Sequence, residues 1–149
     1  MTMLFKMTLA LSLLGTAAFA ADSPKQVLDR HVAAIQKGDV DALMADYADN
    51  AIVLAPKGIV TPATHTTDGP DVFVGKKNAR KLFVTLTNKD NIAGVRSMKS
   101  HYENLSGGVT LMHWVQFPGT AKEVDGVDVF VIRGGKVAYQ AVTVDPPKK

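Results

Sequence analysis

The sequence contains no cysteine among its 149 residues. This absence excludes disulfides, thiolate metal ligands and thiol nucleophiles, so the core alone must stabilise the fold. The chain also lacks a large excess of charge of one sign, since it has 17 basic and 14 acidic residues, and the basic residues are scattered along it. Without a basic patch interleaved with aromatic side chains, we expect no nucleic-acid partner.

Sequence motifs for metals and cofactors are missing as well. The four histidines, at positions 31, 65, 101 and 113, form no HxH, HxxxH or HExxH arrangement, so no metal site is expected. The chain has no P-loop, no dinucleotide fingerprint and no serine-nucleophile motif. We therefore expect no cofactor.

Only one long apolar stretch is present, and it lies at the N-terminus. Met7 to Ala20 is apolar or small, Lys6 is the one charge before it, and Ala18-Phe19-Ala20 fits a signal peptidase site. The stretch is shorter than the roughly 20 residues of a membrane-spanning helix. We expect a signal peptide at residues 1–20, no stable membrane anchor, and export, to the periplasm if the source is a Gram-negative bacterium and otherwise by secretion. The remaining chain, residues 21–149, suits a single domain.

The first half of that domain carries helix start and stop signals. Ser23-Pro24-Lys25-Gln26 forms a capping box with proline at the first helical position, and Gly38 ends the apolar periodicity. Asp39 can cap a second helix whose buried stripe includes Tyr47, before a β-branched strand at residues 51–55.

The second half of the domain changes to strand periodicity. After a long loop and a third helix from about Lys76 to Leu86, four β-rich segments follow, separated by glycine-containing turns. Helices followed by a strand meander predict an α+β domain with helices on one face of a curved sheet. The predicted strands lie near Gly94–Glu103, Val109–Phe117, Val124–Ile132 and Lys136–Val144.

Three segments in this order, AAIQKGDVDALMADYADNAIV, FVGKKNARKLF and DVFVIRGGKV, resemble the nuclear transport factor 2-like superfamily, which includes SnoaL-like polyketide cyclases and ketosteroid isomerases. The resemblance covers nearly all of residues 21–149. It implies a cone made by a bent mixed or antiparallel sheet wrapped by three helices, with an apolar pocket at the open end and dimerisation through the sheet. We therefore expect a small apolar or aromatic ligand and a homodimer.

The resemblance to the ketosteroid isomerases of this superfamily implies roles for three positions of the chain. His31 stands where those enzymes have an oxyanion tyrosine, Asp128 matches their second oxyanion donor, and Ala55 matches their general-base aspartate. Because alanine cannot accept a proton, we do not expect standard ketosteroid isomerase activity. His31 and Asp128 are the expected catalytic residues, on the condition that they meet, since the carboxylate would then orient the imidazole and raise its basicity.

Five further positions are expected ligand contacts. Tyr47 would lie at the pocket rim, Trp114 would provide a flat wall, Gln140 would point inward, and Ala55 and Phe130 complete the set. Structural roles stay open for these side chains, because Tyr47 can complete the core and Trp114 can fill the cone.

Two functional interpretations follow. In the first, the cone binds a small molecule, and the domain is a cofactor-free isomerase, cyclase or lyase if His31 transfers a proton. In the second, it is a non-catalytic dimeric interaction or structural module, with His31 as a core histidine and Asp128 bonded to backbone. Cavity volume separates them, because a ligand requires about 300 Å³ or more of open space.

Overall fold

The computed structural model describes residues 21–60 and 69–146 of the chain. The expected signal peptide and His65 lie outside the described residues. The described part contains helices α1 to α4 and strands β1 to β6, with a short 3₁₀ turn at Ser106–Gly108. In chain order they are α1 (Pro24–Lys37), α2 (Val40–Ala45), β1 (Tyr47–Ala55), β2 (Asp71–Val74), α3 (Lys76–Leu86), α4 (Ile92–Ser97), β3 (Lys99–Asn104), β4 (Val109–Gln116), β5 (Val124–Arg133) and β6 (Lys136–Val142).

The capping signals of α1 are confirmed. The side-chain oxygen of Ser23 accepts from the backbone N–H of Gln26 at 3.3 Å, and the Gln26 side chain accepts from the Ser23 N–H at 2.9 Å. Gly38 ends the helix in the left-handed conformation, at φ 76°. One face of α1 is buried, and it includes His31 among aliphatic residues.

The second helix is shorter than its periodicity predicts, and Tyr47 is the first residue of β1 instead of a helical residue. Tertiary contacts explain the difference. The guanidinium of Arg30 donates two hydrogen bonds, of 3.0 and 2.8 Å, to one carboxylate oxygen of Asp46. The Asp46 carbonyl accepts from the Val137 N–H at 2.8 Å, which begins pairing with β6 and draws the chain into the sheet.

The sheet has six strands in the order β2-β1-β6-β5-β4-β3 and is curved and unclosed. The predicted meander of four antiparallel strands is confirmed as β3 to β6. Strand β1 then pairs with β6 in parallel and with β2 antiparallel, so the sheet is mixed. This architecture is the expected α+β roll, with four α-helices in the described residues instead of three.

The additional helix, α4, replaces the start of the first predicted strand. Residues Gly94 to Ser97 are helical, and β3 begins only at Lys99. The side chain of Asn88 accepts from the N–H groups of Asp90 and Asn91, both at 3.0 Å, which starts the turn into the helix. This local signal is weaker in the sequence than the β-rich pattern that follows it.

The core lies between the helices and one face of the sheet. Helix α3 packs against β1 and β2, and α4 packs against β4. On β4 and β5 the burial alternates from Val109 to Val115 and from Asp125 to Ile132, so one face, the inner face, is buried and the other, the outer face, is half-exposed. Within the described ranges, no helix has the length and apolar character needed to cross a membrane.

Candidate functional site

A cavity of about 330 Å³ lies between the helices and the inner face of β4, β5 and β6. Most of its wall consists of Ile, Leu, Val and Met side chains. Val124 and Val144 stand at its mouth, where they are 40% and 42% exposed. The other wall residues are polar or aromatic: His31, Asn91, Trp114, Gln116, Asp128 and Gln140.

Alternation along β4 places Trp114 and Gln116 on the cavity side, together with Met112. His113 lies on the outer face, where its ring stacks on that of His101 with centroids 4.6 Å apart. Adjacent positions of a strand face opposite sides of the sheet, so Trp114 lines the cavity and His113 does not.

A chain of hydrogen bonds crosses the deep end of the cavity. The Tyr47 hydroxyl lies 3.4 Å from Nδ1 of His31 and donates to Oε1 of Gln140. The Gln140 amide donates to Oδ2 of Asp128 at 2.8 Å, and the Trp114 indole N–H donates to Oδ1 at 2.8 Å. We call His31, Tyr47, Gln140, Asp128 and Trp114 the polar chain.

His31 and Asp128 therefore do not form the direct pair that the sequence suggested. Tyr47 and Gln140 stand between them, and within the described residues no hydrogen bond joins the imidazole to the carboxylate. The expected orienting role of Asp128 reaches His31 only through these two side chains.

The direction of each hydrogen bond fixes the tautomer of His31. Because Gln140 donates its N–H to Asp128, it presents its carbonyl oxygen to Tyr47. The single O–H of Tyr47 is used for that bond, so its oxygen can only accept from His31. Nδ1 therefore carries the proton, and Nε2, which has no hydrogen-bond partner in the described residues, keeps its lone pair on the cavity side.

Burial shifts the pKa values of the two titratable groups of the cavity, His31 and Asp128, in opposite directions. Loss of hydration lowers the pKa of His31 from 6.5 to about 4. It raises the pKa of Asp128 from 3.8 to about 7, although hydrogen bonds from Trp114, Gln140 and the Thr143 backbone act in the opposite sense. Between these values the imidazole is a neutral acceptor and the carboxyl group is a neutral donor.

Three expected ligand contacts lie behind the cavity wall instead of on it. Tyr47 is 1% exposed and bridges His31 to Gln140. Phe130 is fully buried, with its ring edge-on to His31 at a centroid distance of 5.3 Å. Ala55 is 1% exposed in the core, in register with Asp71 of β2. Tyr47 and Phe130 thus hold the imidazole in place, and the alanine is not on the wall.

Sequence reasoning identified four of the polar wall residues, which are His31, Trp114, Asp128 and Gln140. It missed the role of Tyr47 as a bridge, because 93 residues separate it from Gln140 and no periodicity links them. Gln116, on the cavity wall beside Trp114, was not among the expected ligand contacts. Among the described residues, no three His, Asp or Glu side chains are grouped to hold a metal ion.

The model of one protein family, described as the SnoaL-like domain, matches residues 28–140. No curated protein matches the sequence significantly. The fold is similar to many solved structures. A nuclear transport factor 2-like protein of unknown function from Burkholderia xenovorans shares 18% identity and a TM-score of 0.62, with 85% of each chain covered.

Two further structures have the same fold. An uncharacterised cystatin-fold protein from Novosphingobium aromaticivorans shares 20% identity over 83% of this chain and 99% of its own, with a TM-score of 0.54. TerC, co-crystallised with polyporic acid, shares 13% identity over 82% of this chain and 91% of its own, with a TM-score of 0.58. At these identities the similarity establishes the fold alone.

Proposed function

The chain belongs to the SnoaL-like family of the nuclear transport factor 2-like superfamily, and from that premise we propose that its cavity binds a small, largely apolar or aromatic molecule. The molecule presents a hydrogen-bond donor, or an acidic C–H, to Nε2 of His31. One protein of this fold has been crystallised with a small molecule, polyporic acid.

A single observation carries the proposal, namely the unpartnered Nε2 of His31 at the deep end of an apolar cavity of about 330 Å³. Binding sites for small molecules have this character, with mostly apolar walls and a few convergent polar groups. Within the polar chain, the acceptor atoms of Tyr47, Gln140 and Asp128 already have partners, so Nε2 of His31 is the acceptor of that chain left for a ligand.

The alternative, a structural module with a filled cone, requires the side chains to occupy this space. The open volume favours the ligand-binding function over it.

Calorimetric titration with two matched probes tests the proposal. 4-Phenylphenol offers a donor to Nε2, and 4-methoxybiphenyl has the same rings without the donor. We expect the phenol to bind about tenfold more tightly, because an unmet hydrogen bond to a buried group weakens binding by about 1–2 kcal/mol. In His31→Leu this difference disappears.

His113→Leu is the matched control, since it makes the same substitution on the outer face, and it should retain the tenfold preference. Val144→Trp provides a second variant that leaves the buried residues unchanged and should weaken both probes by blocking the mouth. Equal binding of both probes to the unmodified protein, or a preference that survives in His31→Leu, would contradict the proposal.

If the domain is an enzyme, proton transfer without a cofactor suits the cavity. Nε2 of His31 takes a proton from a carbon next to a carbonyl, and the C–H electron pair moves into an enolate. The protonated carboxyl of Asp128 stabilises the enolate oxygen, and His31 returns the proton to another carbon of the substrate. This assignment differs from the ketosteroid isomerase route, whose base position is occupied here by Ala55.

This mechanism predicts a bell-shaped pH profile. Activity needs neutral His31 and protonated Asp128, so kcat/KM rises through about pH 4 and falls through about pH 7. The conversion of cyclohex-3-en-1-one to its conjugated isomer, followed by absorbance, provides the measurement. Asp128→Asn should remove the alkaline limb, and a rate unaffected by His31→Leu would exclude His31 as the base.

We also propose that the domain forms a homodimer through the outer face of its sheet. On the outer face of the sheet, the exposed apolar side chains Ile52, Val72 and Val74 lie at the β1–β2 end, and Val127, Val129 and Val131 of β5 lie at the centre. A contiguous apolar face of this kind marks an interaction surface, and the resemblance to the superfamily favours a second copy as its partner.

Export after cleavage behind Ala20 is a further proposal, supported by the apolar run and small residues of positions 7–20. Expression of the full sequence in a Gram-negative host, followed by intact mass of the periplasmic protein, tests it. A mature chain that begins at Ala21 is expected, and recovery of only the full-length chain in the cytoplasm would contradict it.

A further inference from the structure

The mouth end of the cavity carries a second polar group, the amide of Gln116. Its side chain lines the same cavity as His31 and makes no hydrogen bond within the described residues. The proposed ligand contact at His31 leaves this amide unused. An amide with free donors and acceptors on an apolar wall is a candidate contact for a second ligand group.

Strand register gives the length of the cavity wall along β4. Met112 pairs with Asp128 at the deep end, and Gln116 pairs with Val124 at the mouth. Gln116 lies four positions after Met112 on β4, which corresponds to about 13 Å of strand. Trp114 lies midway on the same face and provides an aromatic wall between the two ends.

The contacts around Gln116 keep it on the cavity wall. The absence of a side chain at Gly94 of α4 leaves room for the Gln116 amide, whose Cδ would lie 3.2 Å from a Cβ at that position. The next residue, Phe117, adopts φ 51°, a strained value for a bulky side chain. Its N–H is held by the hydroxyl of Ser97 at 2.8 Å, which fixes the end of β4 against α4.

We infer that the ligand class is an elongated, ring-bearing molecule with a hydrogen-bonding group at each end, one bound by Nε2 of His31 and the other by the Gln116 amide. The inference rests on the proposed function and adds the length and second polar group of the ligand. A hydroxyl or carbonyl serves at the mouth, because an amide both donates and accepts.

Titration calorimetry with 4-phenylphenol and 4,4′-dihydroxybiphenyl tests the inference. The second probe adds one hydroxyl at the far end of the same rings. We expect it to bind about threefold to tenfold more tightly than 4-phenylphenol, the gain typical of one hydrogen bond. In Gln116→Met this gain is lost, while the affinity for 4-phenylphenol stays within about twofold.

Gly94→Ala provides a second variant, because its Cβ overlaps only the flexible end of Gln116 and the edge of Phe117. It should also lose the gain from the second hydroxyl. Asn91→Leu changes another polar residue of the wall and should keep the gain. A gain that survives in Gln116→Met, or is lost only in Asn91→Leu, would overturn the inference.

The two proposals fail in different ways in this experiment. Binding of 4-phenylphenol without any gain from the second hydroxyl overturns the inference and leaves the proposed function standing. Binding of neither phenol to the unmodified protein overturns both.

Discussion

His31 and Asp128 are two residues on which the same burial has opposite effects. Burial lowers the pKa of the histidine and raises that of the aspartate, because in each case it disfavours the charged form. Each residue therefore makes a pH-dependent contribution to stability, and the two contributions have opposite signs.

The sign for Asp128 follows from its raised pKa. Its contribution to stability is complete below the unfolded pKa of 3.8 and has been lost once the pH rises through about 7, because over this range the carboxyl ionises in the unfolded chain but keeps its proton in the folded one. For His31, whose folded pKa is lowered, stability is complete above 6.5 and is lost as the pH falls towards about 4. Between pH 4 and 7 the two effects partly cancel.

Asp128→Asn should expose this cancellation. Relative to the variant, the unmodified protein should lose on the order of 4 kcal/mol of unfolding free energy between pH 4 and pH 8. The variant alone should become more stable as the pH rises from 4 to 6.5, because only the His31 contribution remains. Urea unfolding at several pH values measures both, and parallel pH profiles would contradict the assigned pKa of Asp128.

Position 55, where the ketosteroid isomerases have their general-base aspartate, can be given a carboxylate by substitution. We expect Ala55→Asp to supply no base to the cavity, because position 55 is buried behind the wall and opposite Asp71. The substitution should lower the unfolding free energy by about 3–5 kcal/mol, since it buries a carboxylate without an opposite charge. Val84→Asp, at a 50% exposed position of α3 away from the proposed dimer face, should change it by less than about 1 kcal/mol.

At the scale of elements, local signals predicted most helices and strands. The capping box and Gly38 bounded α1, and the switch to a two-residue period predicted β3 to β6. The end of α2 was not predicted because contacts distant in sequence decide it, and α4 was not predicted because its local signal at Asn88 is weaker than the β-rich pattern that follows. Pairing of Tyr47 with Val137 and packing of Gly94 against Gln116 leave no periodic trace in the chain.

Gly126 shows how closely the strands and the cavity wall approach each other. A Cβ on this residue of β5 would overlap the Thr143 carbonyl oxygen and lie 2.6 Å from Cζ2 of Trp114. Gly126→Ala should therefore lower the unfolding free energy by about 1–3 kcal/mol and displace the indole.

The fluorescence of the protein measures that displacement directly, because Trp114 is its single tryptophan. Gly69→Ala is the matched control, since a Cβ there meets no atom within 4 Å. Unchanged emission and stability in Gly126→Ala would show that the strands relax without moving the cavity wall.

At the scale of the whole molecule, the order of helices and strands predicted the architecture, whereas the arrangement of the site had to come from the structure. Two facing residues of the cavity, His31 and Asp128, were found because each matched a position of known families. The bridge between them depends on the approach of α1, β1 and β6, which only the folded chain displays.

The proposed dimer gives a prediction at this scale. Val129 lies on the outer face at the centre of β5, and Val129→Lys should convert a dimer into a monomer by placing a charge in an apolar interface. Ala121→Lys, in the exposed loop before β5, should leave the dimer intact. Sedimentation velocity measures the mass of both, and a monomeric unmodified protein would contradict the proposal.

The parallel pairing of β1 with β6 has a consequence for the order of folding. Strand β1 pairs early with its neighbour β2, but it joins the rest of the sheet only when β6 is in place, and a contact between strands so distant in the chain is slow to form. The same step brings Tyr47 to Gln140. The cavity is therefore completed late in folding, so a chain interrupted before residue 136 would lack the strand that carries Gln140 and would not acquire the binding site.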